Sequence, residues 1–245
     1  KVVVACGGDG TVNLIASVVV KNKGQMAVLP LGRGNDFALN IGISSYRDAF
    51  KALSEGTFES VKYLSLQFEN KEKKVGLTCA GVGMLSLAAF RASKIPFLKG
   101  KPLYLLSALI SILKLESYQY SFTIDGSSSK MQAIVIVVAA SKFTGGGLPI
   151  APNANSKRNK LNILIAKNIS KVQALRLIIK VTTGSHIFDR AVDDAFGETF
   201  RIDTDTASEY GKYVYADGEY LGKTPVKISL GKHPLNVLVS NRNFT

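Results

Sequence analysis

The sequence has 245 residues, 46% of them hydrophobic, which is enough for one large or two modest domains and excludes extensive disorder. Its 31 Lys and Arg against 18 Asp and Glu give a net charge of +13, which favours phosphate-bearing partners: nucleotides, nucleic acid or an anionic membrane. The longest uncharged stretch, residues 75–90, is too short and too rich in glycine to cross a bilayer, so we expect no transmembrane segment. Only two cysteines are present, which argues against a disulfide scaffold and predicts a reducing compartment, the cytoplasm.

Residues 1–53 alternate short apolar runs with stretches of helical periodicity. Such alternation is typical of a parallel α/β arrangement, in which each strand is followed by a helix. The predicted elements are strands at 2–6 and 26–30 and helices at 12–21, 36–41 and 46–53. We therefore expect an α/β unit at this end of the chain.

The remainder of the sequence is rich in β-strand patterns. Strands are predicted at 61–68, 74–80, 120–125, 132–140, 161–166 and 199–203, and period-two alternation predicts two antiparallel strands at 226–230 and 235–239. Two helices interrupt this pattern, at 103–115 and 171–182. In the second helix, Leu175, Ile178 and Ile179 form the predicted apolar side, and Arg176 and Lys180 form a basic side.

The run CGGDGTVN, from Cys6 to Asn13, joins the first predicted strand to the first predicted helix. Glycines at such a junction let backbone N–H groups approach a polyphosphate, and the helix N-terminus adds partial positive charge. The glycines match neither GxxxxGK nor GxGxxG, the patterns of the common nucleotide-binding loops. An ordinary glycine turn therefore remains the alternative.

A second run, LPLGRGNDFA from Leu29 to Ala38, repeats this arrangement of strand, glycine turn and helix. Asn35 and Asp36 are candidate helix caps, and Asp36 is also a candidate catalytic residue. Two such turns would lie side by side at the carboxyl ends of neighbouring parallel strands, where sheets of this kind bind ligands.

Further motifs follow in the second part of the chain. Together with the two glycine turns, the series is Gly7-Gly8-Asp9-Gly10-Thr11, Pro30-Leu31-Gly32, Gly34-Asn35-Asp36-Phe37-Ala38, Ala80-Gly81-Val82-Gly83, FTGGGLPIAP at 143–152 and Asp217-Gly218-Glu219. In order and approximate spacing this series resembles the diacylglycerol kinase catalytic-domain family. That family includes bacterial lipid kinases and the sphingosine and ceramide kinases, and is more distantly related to NAD kinases.

The resemblance implies an α/β plus β fold: a partial nucleotide-binding α/β domain followed by a β-sandwich domain, with a lipid-accepting cleft between them. We assign residues 1–57 to the first domain and 58–234 to the second. The family's opening strand and helix do not precede the first glycine turn here, so we expect an exposed sheet edge. The tail at 235–245 is a candidate to complete the first domain.

The resemblance also implies an ATP-dependent kinase that phosphorylates a lipid hydroxyl, with Mg²⁺ entering alongside ATP. By this similarity Glu219 is the general base and Asp9 lies near the transferred phosphoryl group, which suits a reaction that depends on positioning and charge. Without the resemblance, Asp217-Gly218 is simply a hairpin turn. The residues expected at the nucleotide are Gly7, Gly8, Asp9, Gly10, Thr11, Asn13, Gly32, Arg33, Gly34, Asn35 and Asp36.

The sequence departs from the family pattern mainly at acidic positions. Leu14 stands where the family usually has Glu, Leu85 where it has Asp, and 61–63 supplies no Asp. The family's acidic, magnesium-binding loop is matched by Asn153, Lys157, Arg158 and Asn162, which do not suit a divalent cation, so we expect no protein-held metal site. Arg33 replaces the usual Thr or Ser, and either pairs with a phosphate or points into solvent.

The excess of positive charge suits a protein that reaches its lipid at an anionic membrane surface. Two candidate contact regions are residues 91–101, where basic residues alternate with Ile95, Phe97 and Leu98, and the basic side of the 171–180 helix. No nucleic-acid partner is expected, and a homodimer is left open. Two alternatives also stay open: an inactive regulatory relative that binds nucleotide or lipid, and an NAD kinase.

Overall fold

The computed structural model describes residues 2–240. Its helices are α1 (Asp9–Lys21), α2 (Asp36–Asn40), α3 (Tyr46–Glu55), α4 (Met84–Ser93), α5 (Gly100–Ile112), α6 (Lys171–Val181) and α7 (Glu209–Lys212), with a 3-10 turn at Ser185–Phe188. Its strands are β1 (Val2–Gly7), β2 (Gln25–Pro30), β3 (Thr57–Val61), β4 (Leu64–Phe68), β5 (Lys73–Gly76), β6 (Cys79–Gly83), β7 (Tyr118–Ile124), β8 (Ser127–Ala139), β9 (Leu161–Lys167), β10 (Val192–Gly197), β11 (Thr199–Asp203), β12 (Tyr213–Ala216), β13 (Glu219–Lys223), β14 (Val226–Leu230) and β15 (Leu235–Val239). None of these helices is long and apolar enough to cross a bilayer.

Four strands form the sheet of the α/β unit, in the order β1-β2-β15-β3. Strands β1 and β2 pair in parallel, and β15 pairs in parallel with β2 and antiparallel with β3. The prediction of an antiparallel strand at 235–239 holds for its pairing with β3, but the strand also pairs in parallel with β2 and belongs to the first sheet. Strand β3, which the predicted domain boundary divides, is an edge of the same sheet. Residues 241–245 of the candidate tail lie outside the described residues.

Strand β1 forms one edge of this sheet, and its residues Val2 to Val4 are between 41% and 46% exposed. The sheet packs against α1 and α3. Ala16 and Val19 of α1 and Ala49 and Ala52 of α3 are buried there. Helix α3 begins at Tyr46 because the Ser45 side chain accepts a hydrogen bond from the Asp48 N–H.

Eleven strands form the second sheet, which closes around its own hydrophobic core as a sandwich. The long strand β8 pairs with β7 over its first half and with β6 and β9 over its second half. The buried faces of these strands supply large side chains such as Tyr120, Ile136 and Phe200. The predicted combination of an α/β unit with a β-sandwich is confirmed.

The predicted strand at 74–80 is broken in the structure. Leu77 and Thr78 separate β5 from β6 because their N–H groups donate to the Asp217 carboxylate, at 2.6 and 2.8 Å, instead of to a neighbouring strand. The strand predicted at 61–68 is likewise two strands, β3 and β4, each in a different sheet. Helix α4, which follows Gly83, was not predicted from the sequence.

The predicted apolar side of α6 is only partly right, because of its three residues only Ile178 packs against the hydrophobic core. Ala174 and Leu177 are the buried residues, whereas Leu175 is 42% and Ile179 62% exposed. The helix begins at the expected place because Ser170 and Gln173 form a reciprocal capping box. The cap therefore fixes the helix start, and packing against the sandwich buries Ala174 and Leu177.

Candidate active site

The two glycine turns touch. A β-carbon on Gly8 would lie 2.9 Å from the Cα atom of Gly32, and one on Gly32 would lie 2.3 Å from the Cα atom of Gly8. Only glycine permits this approach of two backbones. The structure thus brings both turns together where the parallel strands β1 and β2 end, and the free N–H groups of the first turn of α1 lie there.

Asp9 is the first residue of α1 and lies between the two turns. Its carboxylate accepts a hydrogen bond from the Phe37 N–H at 3.3 Å. Burial, reinforced by the nearby Asp36 and Asp217 carboxylates, raises the pKa of Asp9 from 3.8 to about 7. The side chain is only half-buried, so a substrate can reach it. A carboxylate with such a pKa is a typical functional-site group.

Asp36 is buried and binds a loop of the other domain. Its carboxylate accepts hydrogen bonds from the N–H groups of Gly145, Gly146 and Gly147 at 2.8, 3.0 and 2.7 Å. All three glycines have positive φ angles, which turn their N–H groups towards one point. Asp36 therefore holds the FTGGGLP segment in place, and it does not cap α2.

Asn35 does not cap α2 either. It has a left-handed conformation, and its side-chain amide bonds both the N–H and the carbonyl of Gly32, at 2.8 and 3.1 Å. The capping prediction for this pair is wrong for a common reason: both side chains are engaged in holding the glycine-rich segments. Asn35 shapes the second glycine turn, and Asp36 holds the loop at 145–147.

Asp217 connects the first domain to the sandwich. Besides Leu77 and Thr78 N–H, its carboxylate accepts from the Thr78 hydroxyl and the Asn13 amide, both at 2.7 Å. The second hydrogen of the Asn13 amide goes to the Val75 carbonyl at 2.9 Å. Enclosure by protein raises the pKa of Asp217. Asn13, expected at the nucleotide, thus joins α1 to the sandwich.

The turn between β12 and β13 has positive φ at both Asp217 and Gly218, as a two-residue hairpin requires. The hairpin places Glu219 at the start of β13, where its side chain is exposed. A β-carbon on Gly10 would lie 3.2 Å from the Glu219 Oε1 atom. The Glu219 carboxylate therefore reaches the N-terminal turn of α1, beside Asp9.

The other predicted residues flank this centre. Arg33 is exposed, and its guanidinium donates to the Ile95 carbonyl at 2.7 Å. Thr11 is exposed on α1 and fills the space beside Gly7, where a β-carbon would lie 2.6 Å from the Thr11 β-carbon. Gly34 lies beside the Asp9 carboxylate.

A deep apolar cavity of about 180 Å³ opens between the sandwich and helices α4, α5 and α6. Side chains such as Leu85, Leu105, Leu164 and Leu177 line it, and at one place it reaches Asp36, Tyr104 and Asp217. Sequence reasoning missed Tyr104, Thr78 and the α4 part of this wall. The FTGGGLP motif was a signal for the loop, but nothing local distinguishes Tyr104 within its leucine-rich helix.

The residues that replace the family's acidic residues lie in different surroundings. Leu14 is 68% exposed on α1, and Leu85 lines the cavity. In the loop expected to lack a metal, the amides of Asn153 and Asn162 donate to Asp194. Within residues 2–240, no group of three His, Cys, Asp or Glu side chains is arranged to hold a metal ion.

Two family models together span most of the chain. Residues 1–66 match the diacylglycerol kinase catalytic domain, and residues 78–239 match the YegS C-terminal NAD kinase beta sandwich-like domain. The chain belongs to the diacylglycerol kinase family of lipid kinases. The resemblance inferred from the motifs is thereby confirmed, and the gap between the two models lies between β4 and β6.

Individual members of the diacylglycerol kinase family align over nearly the whole chain. A diacylglycerol kinase of Mycobacterium tuberculosis is 27% identical over 239 residues, 96% of this chain and 76% of that protein. A diacylglycerol kinase of Bacillus subtilis is 23% identical, covering 94% of this chain and 75% of its own length. A crystal structure of a diacylglycerol kinase from Bacillus anthracis has the same fold, with a TM-score of 0.70 at 17% identity over 98% of this chain and 76% of that one.

Proposed function

We propose that the protein is an ATP-dependent lipid kinase that transfers the γ-phosphate of ATP to a hydroxyl of a lipid such as diacylglycerol. One observation carries the proposal: the carboxylates beside the paired glycine turns lie next to a deep apolar cavity. A nucleotide site and a site for a hydrocarbon chain therefore meet at the groups suited to phosphoryl transfer. The names of the relatives support the same activity.

The glycine turns fit the phosphates of ATP. The touching backbones of Gly8 and Gly32 leave no side chain in the way, and the first turn of α1 presents N–H groups with partial positive charge. Mg²⁺ would arrive with ATP and neutralise charge on its phosphates. Asp9 supplies negative charge close to that position, and its half-burial keeps the charge poorly screened.

In the proposed reaction, the lipid hydroxyl oxygen attacks the γ-phosphorus and forms the new O–P bond. The bond between the γ-phosphorus and the bridging oxygen breaks, ADP leaves, and the hydroxyl proton goes to the Glu219 carboxylate. Glu219 suits the base role because it is exposed and reaches the N-terminal turn of α1. Asp36 and Asp217 are less suitable, since their oxygens already accept hydrogen bonds from the protein.

The Glu219→Gln variant tests the base. We expect lipid phosphorylation to fall at least ~100-fold, as loss of a general base does, with ATP affinity and thermal stability nearly unchanged. The measurement is transfer of labelled γ-phosphate from Mg-ATP to vesicles that carry diacylglycerol, monoacylglycerol, phosphatidylglycerol or sphingosine. Glu69→Gln, which changes an exposed carboxylate after β4, is the control and should retain wild-type transfer. Full activity of Glu219→Gln would contradict the assignment.

Leu14 and Leu85 stand where the family usually has acidic residues. Their presence favours a second candidate, an inactive relative that binds nucleotide or lipid and regulates a partner. The same assay separates the two. ATP binding without transfer to any lipid would favour the inactive module. Phosphorylation of NAD in a reaction without lipid would instead favour an NAD kinase, although the leucine-lined cavity suits a hydrocarbon chain better than a dinucleotide.

We also propose that the enzyme meets its lipid at an anionic membrane, through the outer surfaces of α5 and α6. Leu106 and Leu109 on α5 with Leu113 directly after it, and Val172, Leu175 and Ile179 on α6, form two exposed apolar stripes with the spacing i, i+3, i+7. The helices are neighbours, since the Lys171 ammonium donates to the Leu113 carbonyl at 2.9 Å. Neither helix carries an acidic residue, and both border the apolar cavity.

Ile179→Asp tests this surface. We expect the variant to lose most binding to vesicles of phosphatidylglycerol and phosphatidylcholine, because a carboxylate opposes both insertion and attraction to anionic lipid. Activity on a dispersed short-chain lipid should remain. Phe50→Asp on α3 is a matched control, because Ile179 and Phe50 are both 62% exposed. Equal vesicle binding by the two variants, measured by co-sedimentation, would contradict this surface.

A further inference from the structure

Tyr104 on α5 lies where the apolar cavity meets the carboxylates. Its ring is part of the cavity wall. Its hydroxyl group has no hydrogen-bond partner among residues 2–240, in contrast to the buried Tyr120 hydroxyl, which donates to the Gly211 carbonyl at 3.1 Å. A partly buried phenol without a protein partner is available to a ligand.

Glycines from three separate motifs surround this side chain. A β-carbon on Gly34 would lie 3.6 Å from the Tyr104 hydroxyl oxygen, and one on Gly218 would lie 3.5 Å from it. A β-carbon on Gly145 would lie 3.4 Å from the ring. The Tyr104 side chain is therefore enclosed by three segments without side chains pressing on it: the second glycine turn, the FTGGGLP loop and the hairpin that carries Glu219.

The space beside the Tyr104 hydroxyl group is also close to two carboxylates. The position that a β-carbon on Gly34 would take lies 2.6 Å from the Asp9 Oδ2 atom and 3.4 Å from the Asp36 Oδ2 atom. Burial and these carboxylates raise the pKa of Tyr104, so the phenol keeps its proton at neutral pH and acts as a hydrogen-bond donor. A donor at the inner end of an apolar cavity suits the oxygen of an alcohol.

We propose that the Tyr104 hydroxyl donates a hydrogen bond to the attacking oxygen of the lipid and so positions it for transfer. The bond occupies one lone pair of the lipid oxygen and leaves the lipid's own proton free to pass to the Glu219 carboxylate. Tyr104 is thus a substrate-positioning residue that selects lipids with a free hydroxyl. This inference rests on the proposed lipid kinase activity.

Tyr104→Phe removes the donor and keeps the ring. We expect kcat/KM for the lipid to fall about tenfold, the loss of one hydrogen bond made to the reacting group, while KM for ATP and the melting temperature stay unchanged. Tyr120→Phe is the matched control and should do the reverse: a lower melting temperature with unchanged kcat/KM. A purely structural role for Tyr104 would instead lower the melting temperature.

Binding without turnover gives an independent readout. Wild-type protein should bind a short-chain diacylglycerol more tightly than the corresponding diester of propanediol, which lacks the hydroxyl, and Tyr104→Phe should bind the two equally. Unchanged discrimination, unchanged kcat/KM, or an effect confined to KM for ATP would each overturn the role of Tyr104 while the wild-type enzyme still phosphorylates lipid. A wild-type protein that phosphorylates no lipid would overturn the proposed function itself, and this inference with it.

Discussion

Asp9→Asn is expected to abolish phosphoryl transfer and, at the same time, to make the protein more stable at pH 8. The loss of activity follows from removing a charge beside the reacting groups, and we expect it to exceed ~100-fold. The gain in stability follows from the cost of keeping that charge near Asp36 and Asp217 in a partly buried site. The Asp9 carboxylate thus supports activity but lowers the stability of the folded protein.

The sign of the pH effect follows from the raised pKa. In the unfolded chain Asp9 loses its proton near pH 4, but in the folded protein it does so near pH 7. Between these values the folded protein binds the extra proton, so its free energy of unfolding falls as the pH rises. This contribution to stability is complete below about pH 4 and is lost as the pH rises through 7.

Asn carries no charge at any pH and therefore avoids this loss. A pKa rise from 3.8 to about 7 corresponds to about 4 kcal/mol for a fully enclosed group, and because solvent reaches Asp9 we expect about 2 kcal/mol. Relative to wild type, Asp9→Asn should show roughly a third of this gain at pH 5 and all of it at pH 8. Urea unfolding at both pH values, without nucleotide or Mg²⁺, measures the difference.

Asp48→Asn provides a control of opposite sign. The Ser44 and Ser45 side chains hold the pKa of the Asp48 carboxylate below its usual value, and this residue lies at the start of α3, away from the site. Its replacement should lower stability at pH 8 and leave transfer intact. If Asp9→Asn were less stable than wild type at pH 8, the carboxylate would be stabilising the fold, and the strain inferred at this site would be absent.

Local sequence signals were sufficient to predict the strand, turn and helix units that build the site. Glycines at 7, 8 and 32 mark the ends of β1 and β2, and the Asp217-Gly218 pair marks a hairpin that the structure contains. These features depend on backbone conformations that few residues adopt, so the sequence records them directly.

Features that depend on distant contacts could not be predicted in this way. The break at Leu77 and Thr78 is imposed by Asp217, far along the chain. The buried residues of α6 are Ala174 and Leu177, and their packing against the sandwich depends on strands that the helix sequence does not show. Tyr104 acquires its place only when glycines from three motifs gather around it.

We expect Asp217→Asn to destabilise the protein more than any other Asp→Asn or Glu→Gln substitution in this site. Each carboxylate oxygen of Asp217 accepts two hydrogen bonds: Oδ2 from Asn13 and Leu77, and Oδ1 from the N–H and hydroxyl of Thr78. Whichever oxygen becomes NH₂ will face two donors, leaving them unpaired in an enclosed position. We expect a loss of about 3 kcal/mol.

The chain contains a matched control, because Asp125 is also followed by glycine and also has a positive φ angle in a hairpin. Its carboxylate likewise accepts backbone hydrogen bonds, from Glu198 and Thr199, but in an exposed position where water can replace them. Asn tolerates the left-handed conformation, so both exchanges test the carboxylate and not the backbone. Thermal unfolding should show a loss severalfold larger for Asp217→Asn. Equal losses would contradict a special contribution of the four hydrogen bonds of Asp217 to the stability of the protein.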